Sequence, residues 1–589
     1  MTNHQRRRPT AKNNLKSKSD GRGLVSGILF FLTEVIVISG AYSPFRLPKM
    51  ALALVGLAVL AGSWSAFRLW HGRLEIPISP LVKVLVALPV LQALSAIWAQ
   101  APVLALQKAF VSSIWVAAAL WFSSFETEER RRVLQWGVWG AVISGVVLLG
   151  QLSNFDRVAV RGVGSGDRLT LTGLAGNPSD LAMAALLFLP LLLPKALAQP
   201  KKWNRWLLPG FLAVTAALTQ ALTGLVAIGL MGLGCVALMR SKKAWGLALI
   251  VSAVAALAIS ASPLRSRIQA EWVQLRQGNW YNLLSARQDG WTAALTMIEH
   301  SPILGVGAGQ FSREFYPARE IWLDQRQAVG RRGELATHFE WAHNDPLQLT
   351  SELGLIGVVW MVFFIAALAR SGPPGDPVIV LSALVWAPFL CLHYPTHLAI
   401  GLFPGVLVLA HRLKDAPRRS VLADSSFTRR AVAVAIAAVA VSVCLSQAAG
   451  FRLNRWRGYT EALFTVAESA PAAKRNQIVH KIENEAGGRI ARYKSSAPWL
   501  WRIIGRARLL SGAFEEAEAS FRRSLALGPH EEAEMGLGLA LAGQGRSAEA
   551  VHHLTRACRV NPTLVAFISQ KDLRESVRSS LRLKNTKTE

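Results

Sequence analysis

The 589-residue chain is poor in charge, poor in acid and nearly without cysteine. Charged residues make up 17% of it and apolar letters 52%, whereas a soluble globular chain carries about a quarter charged residues. The apolar letters collect in blocks instead of being dispersed with an amphipathic period, which excludes both a soluble globular protein and a disordered one. The four cysteines, Cys235, Cys391, Cys444 and Cys558, stand far apart without metal-ligand or redox spacing, so cysteine chemistry is not indicated. The common catalytic strings are missing as well: there is no P-loop, no HExxH, no nucleophile elbow and no pair of buried carboxylates.

The scarcity of acid leaves 65 Lys and Arg against 36 Asp and Glu, a net charge of +29. Nucleic-acid binding would need those cations gathered on one folded surface. They lie instead between apolar runs, the distribution expected of cytoplasmic loops in a membrane protein, and no nucleic-acid partner is indicated.

What is present is a series of runs of about 16 to 22 apolar residues, near the ~20 that cross the hydrocarbon layer as helix. Candidate spans fall at 24–42, 50–67, 79–98, 109–125, 133–152, 178–197, 206–221, 222–240, 245–262, 353–369, 377–394, 397–411 and 430–450. The expected fold is therefore all-α, a polytopic membrane helix bundle of about 12–13 spans. Residues 1–23 are too polar to fold alone and read as a disordered basic tail. With that tail in the cytoplasm, the basic loops fall inside: Arg68 and Arg73, Arg130 to Arg132, Lys195 to Arg205, Arg240 to Lys243, and Arg412 to Arg430. Two long segments then face outward, the loop 263–345 and the tail 451–589.

The tail reads as soluble helix. GAFEEAEASFRRSLALGP from Gly512 is echoed by GRSAEAVHHLTRACRVNP from Gly545, and Gly505, Ala507, Ala517 and Phe521 recur as Gly538, Ala540, Ala550 and Leu554. Small residues at a close helix contact, a large one in the next groove and a closing proline resemble the tetratricopeptide repeat, which implies an α-solenoid over 451–589 and a protein partner for it.

Chemistry is best placed in the outer loop and its edges. In SARQDGWTAALTMIEHSPILGVGAGQF, from Ser285 to Phe311, Trp291, Leu295 and Ile298 share one helical face with Arg287 near its start, so the helix can lie on the membrane rim. Its GVGAGQF reads as a tight surface turn, since no dinucleotide-fold strand and helix flank it. In WAHNDPLQLTSELGLIGVVWMVFF, from Trp341 to Phe364, His343 and Asn344 stand directly before a span, followed by Gln348 and Glu352. Polar groups at such an entrance are costly unless paired or used. His393 and His397, flanking Pro395, read as rim residues. Lys83 and Lys108 read as snorkelling, and Glu34, Gln92 and Gln220 as interhelix hydrogen bonds.

The spacing HND-PLQLTSELGLIG and the upstream R-x3-W-x5-MI-x3-P-x-LGVGAG-x-F resemble the core domain of the O-antigen ligase and O-antigen polymerase superfamily. RLTLTGLAGNPSDLA, from Arg168 to Ala182, is similar to that family's R-x-x-G…NPN-x-LA stretch. The resemblance covers about residues 160–410. It implies a glycosyltransferase on the outer face of the bacterial inner membrane, moving glycan from an undecaprenyl diphosphate donor onto lipid A core or onto another repeat unit. The donor brings its own leaving group, so neither metal nor cofactor is expected.

On this resemblance Arg287 stabilises charge on the diphosphate, where a guanidinium fork suits phosphate. His343 takes or orients the acceptor proton, and Asn344 holds the imidazole or the acceptor. One departure stands out. Where the family reads T-x-S-R-x-G-L-V-A this chain reads TQALTGLVA, so Ala221 and Leu222 occupy the Ser-Arg positions. Either Arg161 or Arg168 replaces the missing arginine, or activity is altered or lost. Two other classes stay open, an inactive membrane anchor displaying the repeat domain and a transporter, although neither mid-membrane charges nor internal repeats of a transporter are evident.

Overall fold

The computed structural model describes residues 12–153, 171–239, 264–279, 284, 286–326, 328–329, 338–420, 425–493 and 497–585. The first part of the bundle comprises α1 (Lys12–Val35), α2 (Arg46–Trp70), α3 (Pro80–Leu94), α4 (Pro102–Ser123), α5 (Thr127–Leu152), α6 (Pro178–Leu186), α7 (Leu189–Ala198), α8 (Asn204–Leu218) and α9 (Leu222–Met239). Then come α10 (Leu264–Arg276), α11 (Arg287–His300), α12 (Phe311–Gln325), α13 (Asp345–Arg370), α14 (Pro377–Leu392) and α15 (Ala399–Leu413). One helix, α16 (Ser426–Ser469), leads into α17 (Ala472–Tyr493), α18 (Pro498–Ser511), α19 (Phe514–Leu527), α20 (Glu531–Gly543), α21 (Ser547–Val560) and α22 (Lys571–Asn585).

The only strands among the described residues, β1 (Glu75–Pro77) and β2 (Arg418–Ser420), form one short antiparallel pair with Ile76 opposite Arg419. The protein is all-α in architecture and a multi-pass membrane protein.

Several helices start where a capping side chain precedes a proline, the combination that satisfies one free N–H and omits another. Ser79 accepts from Leu81 N at 3.2 Å before Pro80. Asn177 accepts from Ser179 N at 2.8 Å before Pro178, and Asp376 from Val378 N at 2.9 Å before Pro377.

Among the described residues seven helices are long and apolar enough to cross a membrane: α2, 80–97, α4, α5, α9, α13 and α16. Thirteen runs were expected, and the difference has local causes. The run 178–197 is a pair, α6 and α7, bent by 40°. Pro190 cannot donate to Leu186 O, so the helix breaks there. The runs 377–394 and 397–411 become helices of 16 and 15 residues, and 206–221 one of 15. The run 245–262 lies outside the described residues. At the N-terminus α1 begins at Lys12, inside the expected tail, and Arg22 pairs with Glu129 at 3.0 Å where α5 begins.

Within the bundle α1 packs along α5, α2 along α16, α9 along α14, and α4 against α3 and α15. The bent pair α6–α7 lies at the centre, with Leu181 to Leu189 wholly buried. The starts of α2, α4, α6 and α13 meet the finish of α14 at one end. At the opposite end Arg412 donates to Leu368 O and Ala369 O, and Arg418 to Ser123 O.

α16 is a single helix of 44 residues, about 66 Å long at 1.5 Å per residue. Its first half exposes Val432, Val434, Val441 and Leu445, as a lipid-facing span does. Its second half buries Trp456, Phe464 and Ala467 under α17 and α18, so no linker separates the span from the C-terminal helices. Where the two halves meet, Asn454 accepts from Tyr42 N and Ser43 N, tying down the loop before α2.

From α17 onward each helix packs on the next. Gly505 lies against Phe521, and its counterpart Gly538 against Leu554; a Cβ on either would meet that ring or branch at 2.6–2.9 Å. Ala507, Ala517, Ala540 and Ala550 are fully buried. The positions that recur in sequence therefore make recurring contacts.

Candidate active site

The string His343-Asn344-Asp345-Pro346 is divided among three tasks. Asn344 caps α13, its Oδ1 accepting from Leu347 N at 2.9 Å. Asp345 reaches across to the turn after α14, taking Thr396 N at 3.0 Å on one oxygen and lying 3.2 Å from His397 Nδ1 with the other. His343 is left with its ring among Phe339, His393 and Tyr394, a cluster we call the crevice.

The backbone of His343 is left-handed, φ +56°, a conformation that costs a residue with a Cβ about 1–2 kcal/mol. Among the described residues three non-glycines have positive φ: Gln220, Ala286 and His343. Each sits in a motif, Ala286 directly before Arg287 and Gln220 directly before Ala221 and Leu222. Strain of this kind gathers at functional sites.

Arg287 opens α11, which is pressed against the chain before His343: a Cβ at Gly290 would lie 3.0 Å from Ala342 O. Asp289, buried one turn on, pairs with Arg319 at 2.5 Å, and Arg319 donates to Thr292 Oγ1 at 2.8 Å, fixing α11 to α12. Of the expected outward face, Leu295 is exposed and Trp291 and Ile298 are half-buried, while Ala293, Ala294 and Met297 are buried.

The structure thus brings Arg287 and His343 together. Burial, and then the Arg287 guanidinium, push the imidazole of His343 well below its ordinary pKa. Its Nδ1 is buried without a hydrogen-bond partner among the described residues. Arg161 and Arg168 lie outside the described residues. Ala221 is buried, and Leu222 is 38% exposed.

A third group completes the crevice: Asp180 and Arg46, not singled out in the sequence, and His393, expected at the rim and found buried. Asp180, 0% exposed, accepts from Arg46 Nε at 3.0 Å and lies 2.8 Å from His393 Nε2. The Arg46 guanidinium lies over Trp341 and Tyr394, 5.8 and 5.2 Å from the ring centroids. Tyr394 stands edge-on to His343 at 4.6 Å. The signal available was Asp180 itself, a carboxylate inside an apolar run, which needs a partner. Nothing local to it points to Arg46 or His393.

Below the crevice a chain of hydrogen bonds supports it. Glu352 accepts from Gln348 Nε2 at 2.9 Å and from Gly309 N at 2.8 Å, and Gln348 Oε1 accepts from Ala342 N at 3.0 Å. Lys108, expected to snorkel, lies with its Nζ 2.9 Å from His397 Nε2.

The glycine run is a buried junction, not a surface turn. α13 is broken at Gly354, φ +59°, where Val306 N and Gly307 N donate to Ser351 O and Glu352 O and Leu355 N donates to Pro302 O.

Among the described residues one set of side chains could be considered for a metal ion: His338, His530 and Glu531, whose ligand atoms lie within 4.8 Å of one another. Three of the four imidazole nitrogens are otherwise engaged. His338 Nδ1 lies 3.1 Å from Glu531 and its Nε2 2.8 Å from Ser312 O, while His530 Nδ1 accepts from Glu532 N. The two rings are stacked at 4.2 Å, so their lone pairs run side by side and do not converge on one ion.

Residues 206–362 match the O-antigen ligase family. No curated protein matches the chain. The O-antigen ligase segment holds Arg287, His343, Asn344 and the glycine junction, and supports a place in the ligase and polymerase superfamily and a glycosyltransferase-like activity. Arg46, Asp180 and His393 lie beyond it and are supplied to the same crevice by α2, α6 and the end of α14.

Proposed function

We propose that this protein transfers glycan from an undecaprenyl-diphosphate-linked donor at the periplasmic face of the inner membrane, without a metal, onto lipid A core or a further repeat unit. The observation that carries the reading is the placement of Arg287 beside His343 at one end of the bundle, where its helix packs at Gly290 against Ala342.

In this reading an acceptor hydroxyl attacks the anomeric carbon and the diphosphate leaves with the bonding electrons. Arg287 faces that developing charge. Arg46 stands in for the arginine that Leu222 lacks: its Nε is held by Asp180 and its terminal nitrogens have no hydrogen-bond partner among the described residues. His343 accepts the hydroxyl proton. Arg161 and Arg168 remain candidates for further phosphate contacts. Asn344 positions His343 through the cap it makes, and contributes to the acceptor site through its amide.

In this reading, which the basic loops support, the N-terminus lies in the cytoplasm and the crevice, the loop 263–345 and residues 451–589 lie in the periplasm. Those last residues, a tetratricopeptide-like solenoid by their recurring contacts, offer a surface to a periplasmic partner.

The test is transfer by the full chain in lipid with a lipid-linked donor. Wild type should transfer, and His343→Ala and Arg287→Ala should each reduce kcat by about 100-fold or more. Undiminished transfer by either variant refutes its assignment. Deleting the gene separates the acceptors: single repeat units on the carrier mean polymerase, and full chains stranded on it mean ligase. An unchanged surface glycan supports the second reading, an inactive anchor, which the loss of the motif arginine at Leu222 favours.

A further inference from the structure

Two imidazoles share the crevice. His343 and His393 have ring centroids 6.2 Å apart, and both pack on Tyr394, at 4.6 and 4.2 Å. Each has a buried Nδ1 with no hydrogen-bond partner among the described residues. One such nitrogen costs about 1–3 kcal/mol. One water bonded to both rings would satisfy the two together.

The two rings differ in their second nitrogen. His393 Nε2 lies 2.8 Å from Asp180 Oδ1 and so carries the hydrogen, which leaves Nδ1 as its basic atom. Asp180 is fixed on both oxygens, the other being held by Arg46. The charges acting on His343 are the cations Arg287 and Arg46 and, more weakly, the Asp180 carboxylate, which His393 and not His343 contacts. A proton left on His343 stands beside Arg287 and Arg46, whereas on His393 it stands against a carboxylate. The groups facing His393 are Asp180 from α6, Arg46 from α2, Arg287 from α11, and the rings of His343 and Tyr394.

We infer that His393, oriented by Asp180, is a proton-relay residue that receives, through a bridging water, the proton His343 takes from the acceptor; this rests on the function proposed above. The acceptor oxygen bonds to the anomeric carbon as that carbon's bond to the diphosphate oxygen breaks, its electron pair staying on the diphosphate. The hydroxyl proton passes to His343 Nε2. The proton on His343 Nδ1 passes to the water, and one from the water to His393 Nδ1. His343 ends neutral, and His393 ends as an imidazolium paired with Asp180.

The test uses the full chain in lipid with lipid-linked donor and acceptor. In wild type a proton inventory in mixed H2O and D2O should be curved, because more than one proton moves; a linear inventory overturns the relay. His393→Gln keeps a donor toward Asp180 but cannot take up a proton. It should lower kcat about 100-fold while KM for both substrates stays within about two-fold. Wild-type kcat with an unchanged pH profile overturns the inference. Should thermal unfolding show that His393→Gln is not folded, Asp180→Asn takes its place, and an unmoved pH profile in that variant overturns the relay equally. A wild type that transfers nothing removes the function itself. An active wild type that needs His343 but has a linear inventory removes only the relay.

Discussion

His338 meets Glu531 at 3.1 Å, joining the chain just before His343 to the first turn of α20. Glu531 is wholly buried, yet against that burial the imidazoles of His530 and His338 hold its pKa down to about 2 from 4.5. A carboxyl depressed on folding stabilises the fold above its unfolded pKa, and that stabilisation is lost as pH falls through the folded value. The joint should therefore hold above pH 4.5 and fail progressively toward pH 2. Thermal unfolding across this window checks it. Glu531→Gln should flatten the acid limb, and an unaltered limb would show that stability there does not depend on this carboxylate.

The lock between Gly305 and Gly354 sets a second expectation. Both glycines have positive φ, and a Cβ on Gly354 would lie 2.4 Å from the Ile303 carbonyl. Gly375 has a similar φ, +69°, but open space around it. Gly375→Ala should cost about 1 kcal/mol, from backbone conformation alone. Gly354→Ala should cost more than about 4 kcal/mol, because backbone must move against backbone. Comparable melting temperatures for the two would show that the lock gives way easily.

How far the site was legible follows from the same residues. Arg287 and His343 stand in dense strings at span entrances, where polar letters draw attention by their cost. The break in α13 at Gly354 was not read from the sequence, and the pairing of Gly354 with Gly305 needed two distant segments in register. Arg46, Asp180 and His393 are single polar letters beside apolar runs, and hydropathy does not tell which helix ends adjoin. The span count fails for a related reason: an apolar run has the same composition whether it crosses straight or bends at Pro190.

The left-handed backbone of His343 separates folding from chemistry. His343→Gly and His343→Ala both remove the imidazole, but only glycine is at ease at φ +56°. The glycine variant should be the more stable of the two by about 1 kcal/mol, with both inactive in transfer. Chemical or thermal unfolding of the pair measures the difference. Equal stability would mean that neighbouring contacts, and not strain, set the conformation.

Arg46 has two tasks that substitution can part. Its Nε holds the buried Asp180, and its remaining nitrogens face the crevice above Trp341 and Tyr394. Arg46→Ala leaves that carboxylate without its cation and should destabilise the protein by about 3–5 kcal/mol. Arg46→Lys retains a positive charge for Asp180 but loses the planar fork that pairs with two phosphate oxygens at once. The lysine variant should therefore fold, with a melting temperature near that of wild type, and raise the donor KM by about 10-fold, the equivalent of about 1.4 kcal/mol. Because Leu222 supplies no cation at the motif position, Arg287 would then meet the diphosphate with only a point charge beside it. A lysine variant with wild-type donor KM would confine Arg46 to holding Asp180, and the second phosphate contact would have to come from Arg161 or Arg168.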